Sequence, residues 1–151
     1  MVYIYQSFAL LILITYFSIK SPQKIKAYSI SFMSSCGIAA VFFILFPAEL
    51  GFSRTENIEG YEFMYNLLHM VDKPHNLAPS LHITYSALGA YVLSSEIQSK
   101  FLKRMIWLWF LLICSSIVLV HQHHLFDIFS GIVLAFIVIY NIYDKLERNM
   151  S

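Results

Sequence analysis

The chain alternates between long stretches with no charged side chain and short segments where charges gather. With histidine counted as neutral, the uncharged stretches cover residues 1–19, 27–48, 74–95, 105–126 and 128–143. Most reach the roughly 20 residues a helix needs to cross a hydrocarbon core of ~30 Å. The last is shorter and gains length if Asp127 sits at the interface. A soluble helical bundle would carry polar stripes at helical spacing, and these are largely missing. The pattern predicts an all-α, integral-membrane helical bundle of about five transmembrane helices, in one domain over residues 1–151.

Between the second and third stretches lies the longest polar segment. Ser53 and Glu56 have capping-box spacing, and Ile58, Tyr61, Tyr65 and Leu68 then recur at helical intervals. This predicts an amphipathic helix on the outer interface, with Pro74 and Pro79 marking the return into the membrane.

Charge sets the orientation. Lys20, Lys24 and Lys26 follow the first stretch; Lys100, Lys103 and Arg104 lie between the third and fourth; Lys145 and Arg148 follow the fifth. Five spans put all three segments on one side, which the positive-inside rule makes cytoplasmic. The N-terminus is then outside, and of all the Lys and Arg residues only Arg54 and Lys73 remain on the outer side. Trp107, Trp109, Tyr140 and Tyr143 fit an interfacial aromatic belt.

Composition narrows the chemistry. Hydrophobic residues make up 58% of the chain and a net charge of +1 argues against a nucleic-acid partner. Cys36 and Cys114 each sit inside an apolar stretch and read as buried, unpaired thiols; no CxxC pair occurs. Residues 1–19 lack the basic start of a signal peptide, since their lysines follow the apolar run.

Two short motifs stand out, both at expected outer ends of spans. "PSLH", residues 79–82, opens the third span. A helix N-terminus offers unbonded amides and the positive end of the dipole, to which Ser80 adds a hydroxyl and His82 an imidazole. Alone, such a motif is more often a helix cap. "HQHHLFDIFSG", residues 121–131, opens the fifth span. His123 and Asp127 are four apart and share a face on a helix, where the carboxylate can fix the imidazole tautomer. A polar cap or an interfacial ion pair is the plain alternative. A metal site from His121, His123, His124 and Asp127 is another, disfavoured because consecutive helical residues diverge. Taken together, an anion-binding helix start, two imidazoles, a carboxylate and two isolated cations suit phosphoryl transfer.

On these motifs the chain resembles the type 2 phosphatidic acid phosphatase superfamily, over about residues 40–140. "NLAPSLHITYSALG" is similar to its second signature and "SSIVLVHQHHLFDIFSG" to its third, with Ser116, His123 and Asp127 at the family's spacing. The resemblance implies a metal-independent lipid phosphatase without a cofactor, whose partners are a lipid phosphate and the surrounding membrane lipids. It implies His123 as the nucleophile forming a phosphohistidine, Asp127 as its orienting carboxylate and His82 as the general acid. Phosphate would be held by Ser80, the backbone near Leu81, and Arg54, with Lys73 as a further cation. The site would face the periplasmic, extracellular or lumenal side of a cell or inner membrane.

The match has departures. Pro47 stands where the first signature has Lys, Thr55 follows Arg54 in place of Pro, and Ile117 stands where the third signature has Arg. Family members commonly have six spans with the N-terminus inside, so a shortened form lacking the first span is expected. The lost cations resemble the divergent branch of inositol phosphorylceramide and sphingomyelin synthases, in which a lipid alcohol replaces water. A phosphotransferase is therefore the second reading. A non-enzymatic membrane protein that binds metal or haem is the third.

Overall fold

A backbone confined to hydrocarbon must satisfy its own hydrogen bonds, and helices do this within one segment. The computed structural model describes residues 1–47, 60–63, 66, 78–120 and 124–150. Its helices are α1 (Val2–Ser18), α2 (Pro22–Leu45), α3 (Leu81–Glu96), α4 (Lys100–Leu119) and α5 (Leu125–Val138). α5 continues through a π-helical turn (Ile139–Tyr143) into α6 (Asp144–Met150), and no strand occurs among the described residues. The all-helical expectation holds. Arg54, Lys73, His121, His123 and most of the expected interfacial helix, with its Ser53–Glu56 pair, Ile58, Tyr65 and Leu68, lie outside the described residues.

Local sequence explains where the helices start. Pro22 occupies the first turn of α2, where its fixed φ fits and its missing N–H costs nothing. The Ser99 hydroxyl caps α4 by accepting from the Leu102 amide at 3.4 Å. α2, α4 and the continuous helix Leu125–Met150 are long and apolar enough to cross a membrane, and α1 is a shorter apolar helix. α3 has 16 residues, about 24 Å of rise, and lies at the centre of the bundle. Ten of those 16 are buried, so it meets α1, α2, α4 and α5 rather than lipid.

Packing inverts the soluble pattern. On α2 the inward positions Ala27, Ser31, Ser35 and Ala39 are spaced four apart, while Met33, Val41 and Ile44 point outward. Small residues let backbones approach in lipid, where bulky apolar side chains lose nothing by facing the solvent. The Ser35 hydroxyl donates to the Ser31 carbonyl at 2.8 Å, and Thr15 donates to Leu11 at 2.7 Å and to Gly89 at 3.2 Å. These two inward hydroxyls thus spend their hydrogens on backbone.

The end of the bundle away from the two motifs is tied by charge. Lys24 Nζ on α2 lies 2.7 Å from Glu96 at the end of α3 and 3.1 Å from Glu147 on α6. Beside them the Tyr91 hydroxyl donates to Asp144 at 3.1 Å. The segments expected on one side of the membrane therefore do meet at one end.

Three side chains sit otherwise than expected. Tyr143 is buried edge-on against Tyr91, so it belongs to the core and not to a belt. Trp109 turns inward and donates from Nε1 to the Ser7 hydroxyl at 2.8 Å, binding α4 to α1. Cys36 and Cys114 are free thiols, but Cys36 is exposed. Helical phase, which polarity alone could not reveal in these apolar runs, accounts for all three.

Candidate active site

The start of α3 is the first component. Ser80 precedes the helix in an extended conformation and makes no side-chain cap. Its hydroxyl is buried and has no hydrogen-bond partner among the described residues. A buried hydroxyl without a partner costs free energy, and Ser80 shares this state with Ser31, Ser86 and Ser94, but it alone of these serines sits at a helix start. The first-turn amides that follow, that of Leu81 among them, have no acceptor within the helix and give it an anion-binding end. Ser80 is thus the N-cap of α3 by position, while its hydroxyl makes no cap bond.

The start of α5 is the second component. His124 is its N-cap, and the Asp127 carboxylate accepts from the His124 amide at 2.8 Å. That bond is the return half of a capping box. Asp127 is 4% exposed, so the carboxylate is held inside the protein at a helix N-terminus, where negative charge is favoured. Because α5 begins at Leu125, a helical face shared with His123 does not follow from their spacing. His123 itself lies outside the described residues.

Three contacts join the two starts. The Ser80 amide donates to the Asp127 carbonyl at 3.3 Å. The Thr84 hydroxyl reaches the Ser80 carbonyl at 2.9 Å and the Gly131 carbonyl at 3.0 Å. At Gly131 a Cβ would lie 2.7 Å from the Ser80 carbonyl oxygen and 2.9 Å from Ile83, so only glycine permits this approach. The two motifs, joined by contacts between residues 47 positions apart in sequence, thus form one structural unit.

His82 projects from the first turn of α3 toward α1, half-buried. The Tyr5 hydroxyl lies 3.1 Å from its Nε2 and 3.4 Å from its Nδ1. Phe8 meets the imidazole edge-to-face at 4.5 Å between ring centres. Neither aromatic stands out in the sequence: both sit in an uncharged run, and only the helix crossing brings them to His82. Of the third signature, Ser116 is buried and bonds back to the Ile113 carbonyl at 2.7 Å, and Ile117 is fully buried. Among the described residues no group of three His, Cys, Asp or Glu is arranged to hold a metal ion.

Next to this unit an apolar groove of about 640 Å³ runs between α2 and α5. Ala78, Pro79, His124 and Asp127 line one end, and Ile38, Phe42, Val133 and Ile137 line its length. From His124 to Ile137 the helix rises by ~20 Å, about two thirds of a hydrocarbon core. A polar mouth with an apolar trough suits an amphiphile with its headgroup at the two helix starts.

No curated protein and no solved structure matches the chain. A family model described as the PAP2 superfamily matches residues 1–141, which span the starts of α1 to α5. With apolar spanning helices and a match over nearly its whole length, the chain belongs to the PAP2 superfamily, as an integral membrane protein of the lipid phosphatase and phosphotransferase type.

Proposed function

We propose that the protein is a metal-independent lipid phosphatase that cleaves a phosphomonoester or pyrophosphate at the outer membrane face. The observation behind this reading is the junction of α3 and α5, where the Ser80 hydroxyl, without a partner among the described residues, and Asp127 come together beside a lipid-sized groove that Asp127 lines, with His82 in the first turn of α3. In the first step a ring nitrogen of His123 attacks phosphorus, the bond to the leaving oxygen breaks, and His82 gives that oxygen its proton. In the second step neutral His82 takes a proton from water, whose oxygen attacks the phosphohistidine and frees phosphate and His123. Asp127 holds the His123 imidazolium, while Ser80, the Leu81 amide, Arg54 and Lys73 bind the phosphate oxygens.

The buried Ile117 favours a second reading. An aliphatic side chain replaces a cation there, so phosphate is held more weakly and a lipid alcohol can compete with water for the phosphoenzyme. One experiment separates the readings. Purified protein in detergent is given a panel of lipid phosphates, with and without a lipid alcohol, in the presence of a chelator. The phosphatase reading expects inorganic phosphate in both cases. Headgroup transfer without free phosphate would favour the synthase-like reading, and activity lost to the chelator and restored by zinc would favour the metal site.

A further inference from the structure

A general acid must present its proton along one direction, and an imidazole on a helix end is free to turn about two side-chain torsions. At His82 that freedom is removed from outside its own helix. Tyr5, 77 positions earlier, is 2% exposed and brings its hydroxyl to 3.1 Å of Nε2. The Tyr5 and Phe8 ring centres lie 5.1 Å and 4.5 Å from that of His82, with Phe8 nearly perpendicular. Tyr5 and Phe8 are three apart on α1 and face the same way. Ser7 between them fixes the helix: its hydroxyl donates to the Ile4 carbonyl at 2.6 Å and accepts from Trp109 Nε1 at 2.8 Å. The outer end of α1 is thus anchored to α4 while it holds a ring on α3.

We propose that Tyr5 is a positioning residue for His82, holding its imidazole in the orientation that protonates the leaving oxygen. The phenol lies beside both ring nitrogens, and in the imidazolium one ring N–H donates to the Tyr5 oxygen while the other supplies the proton that leaves. Phe8 fixes the ring plane. The first helix, which none of the sequence motifs touches, then becomes part of the reaction apparatus. The inference rests on His82 being the acid of the reaction above.

The test compares Tyr5→Phe, which removes only the hydroxyl, with Tyr3→Phe, an exposed tyrosine on the same helix. On a long-chain phosphatidate, Tyr5→Phe is expected to lower kcat about 10-fold while KM stays within about 2-fold, the loss of one charge-assisted hydrogen bond. On an aryl phosphate, whose leaving group needs no proton, the change stays within about 2-fold. In an His82→Ala background the Tyr5→Phe change has no further effect, because the two residues act as a unit. Equal losses on both substrates, or a full loss persisting without His82, would assign Tyr5 to packing alone.

A second measurement needs no turnover: carbethoxylation of His82 by diethyl pyrocarbonate, followed by mass spectrometry. Its rate should rise several-fold in Tyr5→Phe and stay unchanged in Tyr3→Phe. An unchanged rate in Tyr5→Phe overturns the contact, whatever the protein hydrolyses. A raised rate in a protein that releases no phosphate from any substrate overturns the phosphatase reading, and with it the role of Tyr5, while the contact stands.

Discussion

Ser80 and Asp127 carry opposite relations between stability and function. The Ser80 hydroxyl is buried without a partner among the described residues, so the folded protein gains nothing from it. Ser80→Ala should leave thermal stability unchanged or raise it by ~1 kcal/mol, because an unmet desolvation cost disappears. The same change should raise KM for a lipid phosphate several-fold; an unaltered KM would remove Ser80 from the phosphate site. Asp127 caps α5, and the proposed function gives it a second task, which substitution can separate from the first. Asparagine keeps an oxygen for the His124 amide but gives up the charge. Asp127→Asn should therefore melt near wild type yet lose about 10²–10⁴-fold in kcat, as an orienting carboxylate would. Asp127→Ala should add a helix-cap loss of ~1 kcal/mol on top. If Asp127→Asn turns over normally, the carboxylate is a cap and no more.

Helix packing supplies the junction that these side chains depend on. α3 and α5 approach so closely at Gly131 that a methyl group would press on the Ser80 carbonyl and on Ile83. Gly131→Ala should cost about 1–3 kcal/mol through overpacking, seen as a lower melting temperature in detergent. Its loss in kcat/KM should exceed what unfolding explains, since relief comes by shifting Ser80 and the start of α3. A Gly131→Ala protein with normal stability and activity would mean the helices can part without consequence. The inward face of α2, small residues four apart, follows the same rule on a longer scale.

The whole bundle has two chemically distinct ends. One joins Lys24, Glu96, Glu147 and, through Tyr91, Asp144; the other joins Ser80, His124 and Asp127, with His82 in the adjoining turn of α3. In the proposed orientation, which rests on the Lys/Arg asymmetry, the first end is cytoplasmic. Single cysteines introduced at Asn57 and Ser99, in a background lacking the exposed Cys36, should then react oppositely with an impermeant thiol reagent in intact cells. Labelling of Asn57 alone fits the proposed orientation. Labelling of both, or of Ser99 alone, would turn the site to another compartment or change the number of spans.

Hydrophobic continuity was enough to establish from the chain alone that the protein is helical and membrane-embedded, since an unbroken apolar run of roughly 20 residues satisfies its backbone in lipid as a helix, whereas barrel strands are shorter and alternate. The two motifs were legible for a related reason. Serine, histidine and aspartate are costly in such runs and stand out against them. Phase was not legible. Apolar runs carry no polar stripe to mark the inner face, so Tyr143 and Trp109 resembled interfacial aromatics although both turn inward. Nor could spacing reveal that α5 starts after His123, because a cap is defined by the backbone turn it closes. The junction at Gly131 and the clasp of Tyr5 on His82 arise from helix crossings between residues 47 and 77 positions apart. Local sequence determined which helices form and which residues are chemically expensive; only close packing of helix on helix decided which of them meet.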